Sequence, residues 1–320
     1  MPPPNAPGPR VAVVGSLNMD LVARVRRLPR PGETVSASDL QAHPGGKGAN
    51  QAVAAARLGA RTRMIGCVGT DGHGEALRRE LAAAGVDIAE LHAVSDRPTG
   101  TALIAVDEKG QNQIVVVAGA NGRMTPEHLP ASFPAQDDVV VLQLEIPMDT
   151  VVRTARMARA AGRLVILNTA PAAGPLPEEL LAAANVLCLN ETEASMVVPA
   201  AGADAAPAQR AEWLARDTGA VVVVTLGEQG ALHCLPGASP TAIPAFRVKA
   251  VDATAAGDAF VGALAVALGE AGPPISAGSL ARAVRFANAA GALAAARAGA
   301  IPSIPFRPEV DAMLEFGDTP

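Results

Sequence analysis

The chain has 320 residues, and its 49% hydrophobic and 18% charged residues exclude general disorder. Its 26 Lys and Arg against 31 Asp and Glu give a net charge of −5, without the basic excess of a nucleic-acid-binding protein. Aromatic residues are 2% of the chain and Tyr is absent, so base-stacking surfaces are not expected.

The cysteines and the apolar segments indicate the compartment. The three cysteines are Cys67, Cys188 and Cys234. They form no CxxC pair and their number is odd, which favours reduced cytoplasmic thiols over a disulfide framework. Residues 1–10 lack the apolar stretch of a signal peptide and are expected to form a flexible tail. The Ala-rich segment 286–301 is too interrupted for a membrane span. We therefore predict a cytoplasmic protein with no membrane contact.

Strands and helices alternate from the start of the chain. An apolar run predicts a strand over 11–14, and a helical pattern over 50–58 ends at Gly59. A strand over 63–68 and a helix over 75–84 follow. This is the pattern of strand–helix units that build a parallel sheet.

The alternation is interrupted once and then resumes. Two β-rich runs flank a DEKG turn between Thr101 and Val117, which predicts a β-hairpin. Further strands are predicted over 139–144, 164–167, 186–189 and 221–225. Further helices are predicted over 150–161, 178–184, 207–216, 257–269 and 279–296. Asp149 is expected to cap the first of these helices.

Consecutive strand–helix units predict a mostly parallel sheet with helices on both faces. We expect one α/β domain over 11–315. The hairpin, within about 99–118, and the segment near 21–45 are expected to form a small β appendage.

Polar residues and glycines follow several predicted strands directly. They are Asn18 and Asp20, Glu145, Asn190, Glu191 and Glu193, and Gly227 and Gly230. Ligands of doubly wound sheets bind at the carboxyl ends of the strands, which is where these residues fall. Polar loops at strand ends are also ordinary, so the argument rests on the set rather than on any one residue.

The segment 251–262, VDATAAGDAFVG, follows a strand-like stretch over 245–251 and leads into a predicted helix. Small residues let backbone N–H groups approach a ligand, and a helix N-terminus attracts phosphate. Asp258 lies in the first turn, where a carboxylate can accept the proton of an attacking hydroxyl. The alternative is that Asp258 only complements the helix dipole. The small-residue turn favours the phosphate site.

Two further glycine segments are weaker signals. PGGKGAN, 44–50, places Lys47 and Asn50 as donors for sugar hydroxyls just before a helical pattern, or is a plain glycine turn. It is not a Walker A loop, because no Ser or Thr follows the lysine. TLGEQG, 225–230, is a glycine loop or a hairpin turn. No GxGxxG with a following acidic residue occurs, which disfavours a nicotinamide site.

Taken in order, these motifs resemble the ribokinase-like (pfkB) family of carbohydrate kinases. The resemblance covers about 11–310 and rests on GSLNMD, PGGKGANQA, NETE at 190–193, TLGEQG and DATAAGDAFVGAL. It implies a three-layer α/β/α sandwich with a small β-sheet lid that closes on the sugar. It also implies ATP-dependent phosphorylation of D-ribose at its 5-hydroxyl.

The resemblance assigns roles to individual residues. The implied sugar contacts are Asn18, Asp20, Gly46, Lys47, Gly48, Asn50, Glu145 and Asp258. Asp258 is the implied catalytic base, beside an anion hole of Ala255, Ala256 and Gly257. The implied ATP contacts are Asn190, Thr225, Leu226, Gly227, Gly230, Gly257 and Asn288. Glu193 is implied to hold Mg²⁺ through water. The implied K⁺ site is formed by Asp252, Thr254, Ala294, Arg297, Gly299 and Ser303.

Several questions stay open at this stage. Ala253 and Ala259 stand where the family commonly has a hydroxyl residue, and the scarcity of aromatic residues requires an aliphatic adenine clamp. The substrate is ribose or, alternatively, deoxyribose, a fructose derivative, a nucleoside or a ketogluconate. A sugar-binding sensor without catalysis and a nicotinamide oxidoreductase are the alternatives from other classes. An exposed lid edge predicts a homodimer through the β lids.

Overall fold

The structure is a computed structural model that describes residues 8–198, 202 and 204–317. Of the tail predicted over 1–10, residues 1–7 lie outside the described residues. Pro9 is buried, and the first strand begins at Arg10. The guanidinium of Arg10 donates to the Asp138 carboxylate at 2.9 Å, which ties the beginning of this strand to the body of the protein.

The described residues form thirteen strands and nine α-helices. The strands are β1 (Arg10–Val14), β2 (Asn18–Val25), β3 (Ala37–Gly45), β4 (Arg61–Gly69), β5 (Leu91–Val94), β6 (Gly100–Val106), β7 (Asn112–Val117), β8 (Val139–Leu142), β9 (Leu164–Asn168), β10 (Val186–Asn190), β11 (Val221–Thr225), β12 (Ala231–Cys234) and β13 (Thr241–Ile243). The helices are α1 (Lys47–Arg57), α2 (Gly72–Ala83), α3 (Met148–Ala160), α4 (Glu178–Ala183), α5 (Glu191–Val197), α6 (Pro207–Thr218), α7 (Ala256–Ala271), α8 (Ala277–Ala295) and α9 (Arg307–Phe316).

Nine of these strands form a large sheet in the order β13-β12-β11-β10-β9-β8-β1-β4-β5. The pairs from β11 to β5 are parallel, whereas β12 and β13 are antiparallel to their neighbours. The central strands are apolar on both faces, as a sheet covered on both sides requires. The prediction of a mostly parallel central sheet is therefore confirmed.

The sheet is covered by helices on both faces, which gives the predicted three layers. On one face, α1, α7 and α8 pack over the first core cluster, which includes Val53, Val261 and Ala287. On the other face, α3 and α6 pack over a second cluster that includes Val151 and Leu214. No helix within the ranges given above is long and apolar enough to cross a membrane.

A second, four-stranded sheet has the order β3-β2-β6-β7. The strands β6 and β7 are antiparallel and form the predicted hairpin, which is thereby confirmed. Paired residues of neighbouring strands share a face. Asn18 and Asp20 of β2 therefore lie on one face of this small sheet, and Leu103 and Val115 lie on the other.

Three local predictions are wrong. Asp149 is not the cap of α3, because Pro147 precedes the helix and Asp149 lies within the first turn. Proline suits a helix start, since its φ is fixed and no N–H is lost from the helix. Residues 245–251 form no strand, and the Val251 N–H donates to the carbonyl oxygen of Ala295 at the end of α8, at 2.8 Å, instead of to a strand. The helix expected to follow PGGKGAN begins inside it, at Lys47.

The packing of α1 against α7 depends on a glycine. A Cβ atom on Gly262 would lie 2.5 Å from the Cβ of Ala54 and 2.9 Å from the carbonyl oxygen of Gln51. Both distances are too short for non-bonded atoms, so a side chain at this position would force the two helices apart.

We expect Gly262→Ala to lower the free energy of unfolding by about 1–3 kcal/mol, the usual effect of overpacking a core. This loss outweighs the gain of up to about 1 kcal/mol that alanine brings to a helix. Gly278→Ala is the matched control, because a Cβ there has only the Arg282 guanidinium near it, at 3.6 Å. Chemical denaturation checks both variants, and equal stabilities would contradict the close packing.

Candidate active site

A cavity of about 190 Å³ lies at the carboxyl ends of the central strands. Most of the phosphate-side residues predicted from the sequence meet in its wall. They are Asn190, Glu193, Thr225, Ala255, Gly257 and Asp258, and the predicted sugar contact Lys47 lines the same wall. The sequence segments that carry these residues are far apart in the chain, so the fold itself assembles the site.

Asp258 lies in the first turn of α7 and is buried, with 9% of its surface exposed. Its two carboxylate oxygens each accept a hydrogen bond from a side-chain amide of α1. The Asn50 Nδ2 atom donates to Oδ2 at 2.9 Å, and the Gln51 Nε2 atom donates to Oδ1 at 2.9 Å. The amides and the positive end of the α7 dipole both stabilise the ionised carboxylate.

The turn before α7 has a strained backbone. Ala255 has φ 60°, the only positive φ of a non-glycine residue in the described parts of the chain. A left-handed alanine costs roughly 1–2 kcal/mol, and such strain clusters at functional sites. The turn brings the start of α7 to the cavity wall. The N–H of Ala256 donates to Ala253 at 3.2 Å, so one of the three amides of the expected anion hole already has a partner.

Glu145 is the centre of the sugar-side residues. Its Oε2 atom accepts hydrogen bonds from the Ser16 hydroxyl at 2.5 Å and the Lys47 backbone N–H at 3.3 Å. The Asn18 Nδ2 atom lies at 3.4 Å from the same oxygen. Ser16 is a site residue that the sequence reasoning missed, although it is the second residue of the GSLNMD motif. A buried serine next to a strand end carries no signal of its own.

The glycines of the 44–50 segment allow its close approach to the beginning of β2. Gly46 has φ 93°, and a Cβ there would lie 2.6 Å from the backbone nitrogen of Asn18. Gly48 donates its N–H to the Ser16 hydroxyl at 3.3 Å. The glycines therefore serve local packing, and they place Lys47 and Asn50 in the first turn of α1.

The charged groups at the site shift one another's pKa values. Burial, the Glu145 carboxylate and the Asp258 carboxylate raise the pKa of Asp20 to about 7, while Lys47 acts in the opposite direction. Burial alone would lower the pKa of Lys47, but the surrounding carboxylates, led by Asp258 and Glu145, raise it above its ordinary value. Lys47 therefore carries a positive charge at neutral pH.

Asn190 and Glu193 form the N-terminal cap of α5. The Asn190 side chain accepts from the Glu193 N–H at 2.8 Å, and the Glu193 carboxylate accepts from the Asn190 N–H at 3.0 Å. This reciprocal pair is a capping box, which explains their three-residue spacing without any ligand. Burial raises the pKa of Glu193, against the hydrogen bond from Asn190 and the charge of Lys47. Both side chains still line the cavity.

The TLGEQG segment is a hairpin turn between β11 and β12, and the alternative interpretation from the sequence holds. Leu226 donates its N–H to Gly230 at 2.7 Å, and Gly227 begins the short 3₁₀ turn between them. Thr225, at the end of β11, lines the cavity. Asn288 lies outside the cavity lining and donates to the carbonyl oxygens of Ile243 and Pro244, at 3.0 and 3.1 Å.

The residues of the expected K⁺ site come from two loops that meet. The Asp252 carboxylate accepts from the N–H groups of Thr254 and Gly299, both at 2.9 Å. Burial raises the pKa of Asp252, but these hydrogen bonds outweigh burial and the net shift is downward. The Arg297 side chain is directed away, into an ion pair with Glu309.

The other two residues of this set lie in the last turn of α8 and in the segment that follows it, and both are hydrogen-bonded there. The carbonyl oxygen of Ala294 accepts the Arg297 N–H at 3.1 Å, and the Ser303 hydroxyl donates to Ala300 at 2.8 Å. Among residues 8–198, 202 and 204–317, no three His, Cys, Asp or Glu residues form a metal-binding cluster.

Known proteins are similar to this chain over nearly its whole length. The chain is 39% identical to a ribokinase of Haemophilus influenzae over 308 residues, which covers 95% of this chain and 98% of that protein. It is 41% identical to a ribokinase of Bacillus subtilis over 306 residues, covering 95% and 99%.

Solved structures agree with the fold. The crystal structure of a ribokinase from Thermotoga maritima matches with a TM-score of 0.85 at 36% identity, covering 96% of this chain and 99% of that one. The structure of the Arabidopsis thaliana ribokinase complexed with ribose and ATP matches with a TM-score of 0.86 at 35% identity, covering 97% and 99%. Residues 9–307 match the model of the pfkB family of carbohydrate kinases. This chain belongs to that family.

Proposed function

We propose that the chain phosphorylates D-ribose at O5 with MgATP, giving ribose 5-phosphate and ADP. The observation that carries this proposal is the buried Asp258 carboxylate at the N-terminus of α7, in the wall of a cavity that Lys47 also lines. A base, a cation and a helix N-terminus in one wall supply what in-line phosphoryl transfer requires. The similarity to proteins named ribokinase supports ribose as the sugar.

In the proposed reaction, the 5-hydroxyl of the sugar donates its proton to Asp258 as its oxygen attacks the γ-phosphorus of ATP. The new oxygen–phosphorus bond forms while the bond to the β-phosphate oxygen breaks and ADP leaves. Lys47 and the amides at the start of α7 stabilise the negative charge that develops on the transferred group. Side chains on the sugar side form hydrogen bonds with the sugar hydroxyls: the carboxylates of Asp20 and Glu145 accept, and the amides of Asn18 and Asn50 donate or accept.

Glu193 and Asn190 would hold magnesium through water. Their oxygen atoms are ligands that Mg²⁺ prefers, and a nearby cation would offset the burial that raises the pKa of Glu193. When bound, magnesium neutralises charge on the phosphates of ATP.

We also propose a K⁺ ion beside the anion hole. The Asp252 carboxylate and the carbonyl groups of the adjoining loop would hold it, and Asp252 remains ionised because its pKa is lowered.

The small sheet is proposed to act as the lid. Its strand β2 carries Asp20, so closure of the sheet would bring this side chain onto the sugar and exclude water from the phosphoryl group. We place the enzyme in the cytoplasm. The described cysteines support this, because Cys67, Cys188 and Cys234 are all free and buried.

The assay that tests the proposed function is ADP release with MgATP and D-ribose, in potassium and in sodium buffers. Deoxyribose, fructose, nucleosides and ketogluconate serve as competing substrates. Deoxyribose is included because the chain is 34% identical to a deoxyribokinase of Salmonella typhi over 261 residues, 80% of this chain. Faster ADP release with another sugar would overturn ribose as the substrate. ADP release that does not depend on any sugar would overturn the sugar kinase activity.

We expect Asp258→Asn to lower kcat by about 10²–10⁴-fold, the usual effect of removing a general base. Ribose binding persists, because the amide retains the shape of the side chain. Asp149→Asn is the matched control, since Asp149 is exposed and lies in the first turn of α3. Coupled ADP assays and calorimetric ribose titrations measure both quantities. A kcat near the wild-type value would remove Asp258 from its assigned role.

The pKa of Asp20, about 7, predicts a pH-dependent affinity for ribose. Sugar hydroxyls that donate to Asp20 favour its ionised form, so ribose binding below pH 7 releases a proton. Ribose affinity therefore rises with pH, by up to about tenfold per unit, and levels off above pH 7. Calorimetry in buffers of different ionisation enthalpy measures the proton release. Asp20→Asn abolishes both effects, and a flat wild-type profile would contradict a contact between sugar and Asp20.

We propose that two copies associate through the lid face opposite Asn18 and Asp20. Exposed apolar side chains share this face: Leu40 is 67% exposed, Leu103 is 48% exposed and Val115 is 61% exposed. Exposed apolar patches of this kind mark protein interfaces, and β7 would otherwise leave an uncovered edge.

Val115→Lys is expected to convert the dimer to a monomer, because burial of the charge in the apolar interface is unfavourable. Met196→Lys is the control, since Met196 is 41% exposed on α5, outside the lid. Light scattering measures the mass of each protein. A monomeric wild-type chain, or a Val115→Lys variant that remains dimeric, would contradict the proposed interface.

A further inference from the structure

A buried amide side chain lies behind the proposed catalytic base. Gln51 is fully buried in α1. Its Nε2 atom donates to Asp258 Oδ1 at 2.9 Å and to Asn168 Oδ1 at 3.0 Å. Its Oε1 atom accepts from Gln143 Nε2 at 2.6 Å. Because Gln51 is fully buried, its amide is shielded from water. The protein alone therefore fixes the orientation of the Gln51 side chain.

The orientation of Gln51 follows from a backbone carbonyl. The Asn168 Nδ2 atom donates to the carbonyl oxygen of Cys188 at 3.1 Å, and a carbonyl oxygen can only accept. Asn168 must therefore present its oxygen to Gln51, and Gln51 must present its NH₂ group in return. The same NH₂ group reaches Asp258. A rotated Gln51 amide would set oxygen against oxygen at both Asn168 and Asp258.

The consequence concerns the two oxygens of Asp258. The Gln51 N–H occupies the space at Oδ1, so a proton on that oxygen would point at another proton. Oδ2 also accepts an amide N–H at 2.9 Å, from Asn50, a proposed sugar contact. The two amides differ in their freedom to rotate, because the Asn50 Oδ1 atom is buried and accepts no hydrogen bond from the described residues. The Asn50 amide can therefore turn its oxygen towards a proton on Oδ2, whereas the Gln51 amide is held by Gln143 and Asn168. We propose that Gln51 is a positioning residue that keeps Asp258 ionised and directs the proton of the sugar hydroxyl to Oδ2. This inference rests on the proposed kinase function.

Other charged groups face Asp258 and interact with it electrostatically. Lys47 of α1 is positive, whereas Asp20 of β2 and Glu193 of α5 are acidic, and all three interact with Asp258 through their charges. Glu145 acts on Asp20 and Lys47. Gln51→Met removes none of these groups and adds no charge, so a change in the pH profile of that variant reports on the lost amide.

Two variants test the role of Gln51. Gln51→Met keeps the length of the side chain and removes the donor. Gln51→Glu keeps the acceptor for Gln143 and sets an oxygen against Asp258 Oδ1. We expect both to move the acid limb of the kcat–pH profile up by at least one pH unit, so that the loss in kcat relative to wild type grows as the pH falls. The KM for ribose is expected to change less than threefold.

The control separates positioning from stability. Thr154→Val removes another fully buried hydrogen bond, from the Thr154 hydroxyl to the Thr150 carbonyl at 2.6 Å on α3, far from Asp258 in the fold. We expect it to lower thermal stability and leave the acid limb unchanged. Gln51 variants that lose stability but keep the wild-type acid limb would overturn the inference.

A second measurement separates this inference from the proposed function. The titration of the Asp258 carboxyl carbon is followed by NMR in wild-type protein and in both Gln51 variants, which needs no turnover. An inactive wild type with a midpoint that moves upward in the variants would overturn the kinase and support the positioning role. An active wild type with unmoved midpoints would support the kinase and overturn the positioning role.

Discussion

The hydrogen bonds between Asp258 and the amides of α1 hold the rest of the site in place. A buried carboxylate without partners is strongly unfavourable, so Asn50 and Gln51 stabilise both the charge and the crossing of α1 with α7. The crossing in turn requires Gly262, whose missing side chain lets α7 approach the backbone of Gln51. The packing of the two helices and the position of the Asp258 carboxylate therefore depend on each other, because the helices cannot separate without breaking the hydrogen bonds to Asp258.

The balance of charge explains why such a site would take ATP together with a metal ion. Asp20, Glu145, Glu193 and Asp258 all lie near Lys47, and their carboxylates raise its pKa even though burial opposes this. An excess of negative charge repels a bare triphosphate. A divalent cation bound to the nucleotide supplies positive charge beside the phosphates and so offsets this repulsion. Protonation of Asp20 near neutral pH reduces the repulsion further.

Much of the fold could be predicted because hydrophobic periodicity and glycine positions are local signals. The central strands, the hairpin of β6 and β7, and the placement of Asp258 in a first helical turn all follow from them. The failures concern contacts that no local pattern encodes. Residues 245–251 have the composition of a strand, but they form none, and the Val251 N–H bonds to the end of α8, a contact that depends on the tertiary fold.

The residues of the site divide in the same way, into those that local sequence signals predict and those that they do not. Asp258 and Lys47 could be found because a charged residue beside small residues is unusual at a strand end or helix start. Gln51 and Ser16 could not, since a glutamine within a helical pattern and a serine after a strand are ordinary. Their roles depend on partners more than 100 residues away in sequence: Asp258 for Gln51 and Glu145 for Ser16.

The connection between the two sheets limits how the proposed lid can move. Only residues 15–17 separate β1 from β2, and the Asn121 side chain holds this link through both backbone groups of Leu17, at 2.9 and 3.0 Å. The same Asn121 amide donates to Asn18 at 2.8 Å. Asn18 is therefore held with the large sheet, whereas Asp20, two residues further along β2, lies beyond this clamp. Closure of the small sheet would then move Asp20 towards a sugar already held by Asn18 and Glu145. Under the proposed function, one short strand would therefore contribute both a fixed and a movable sugar contact.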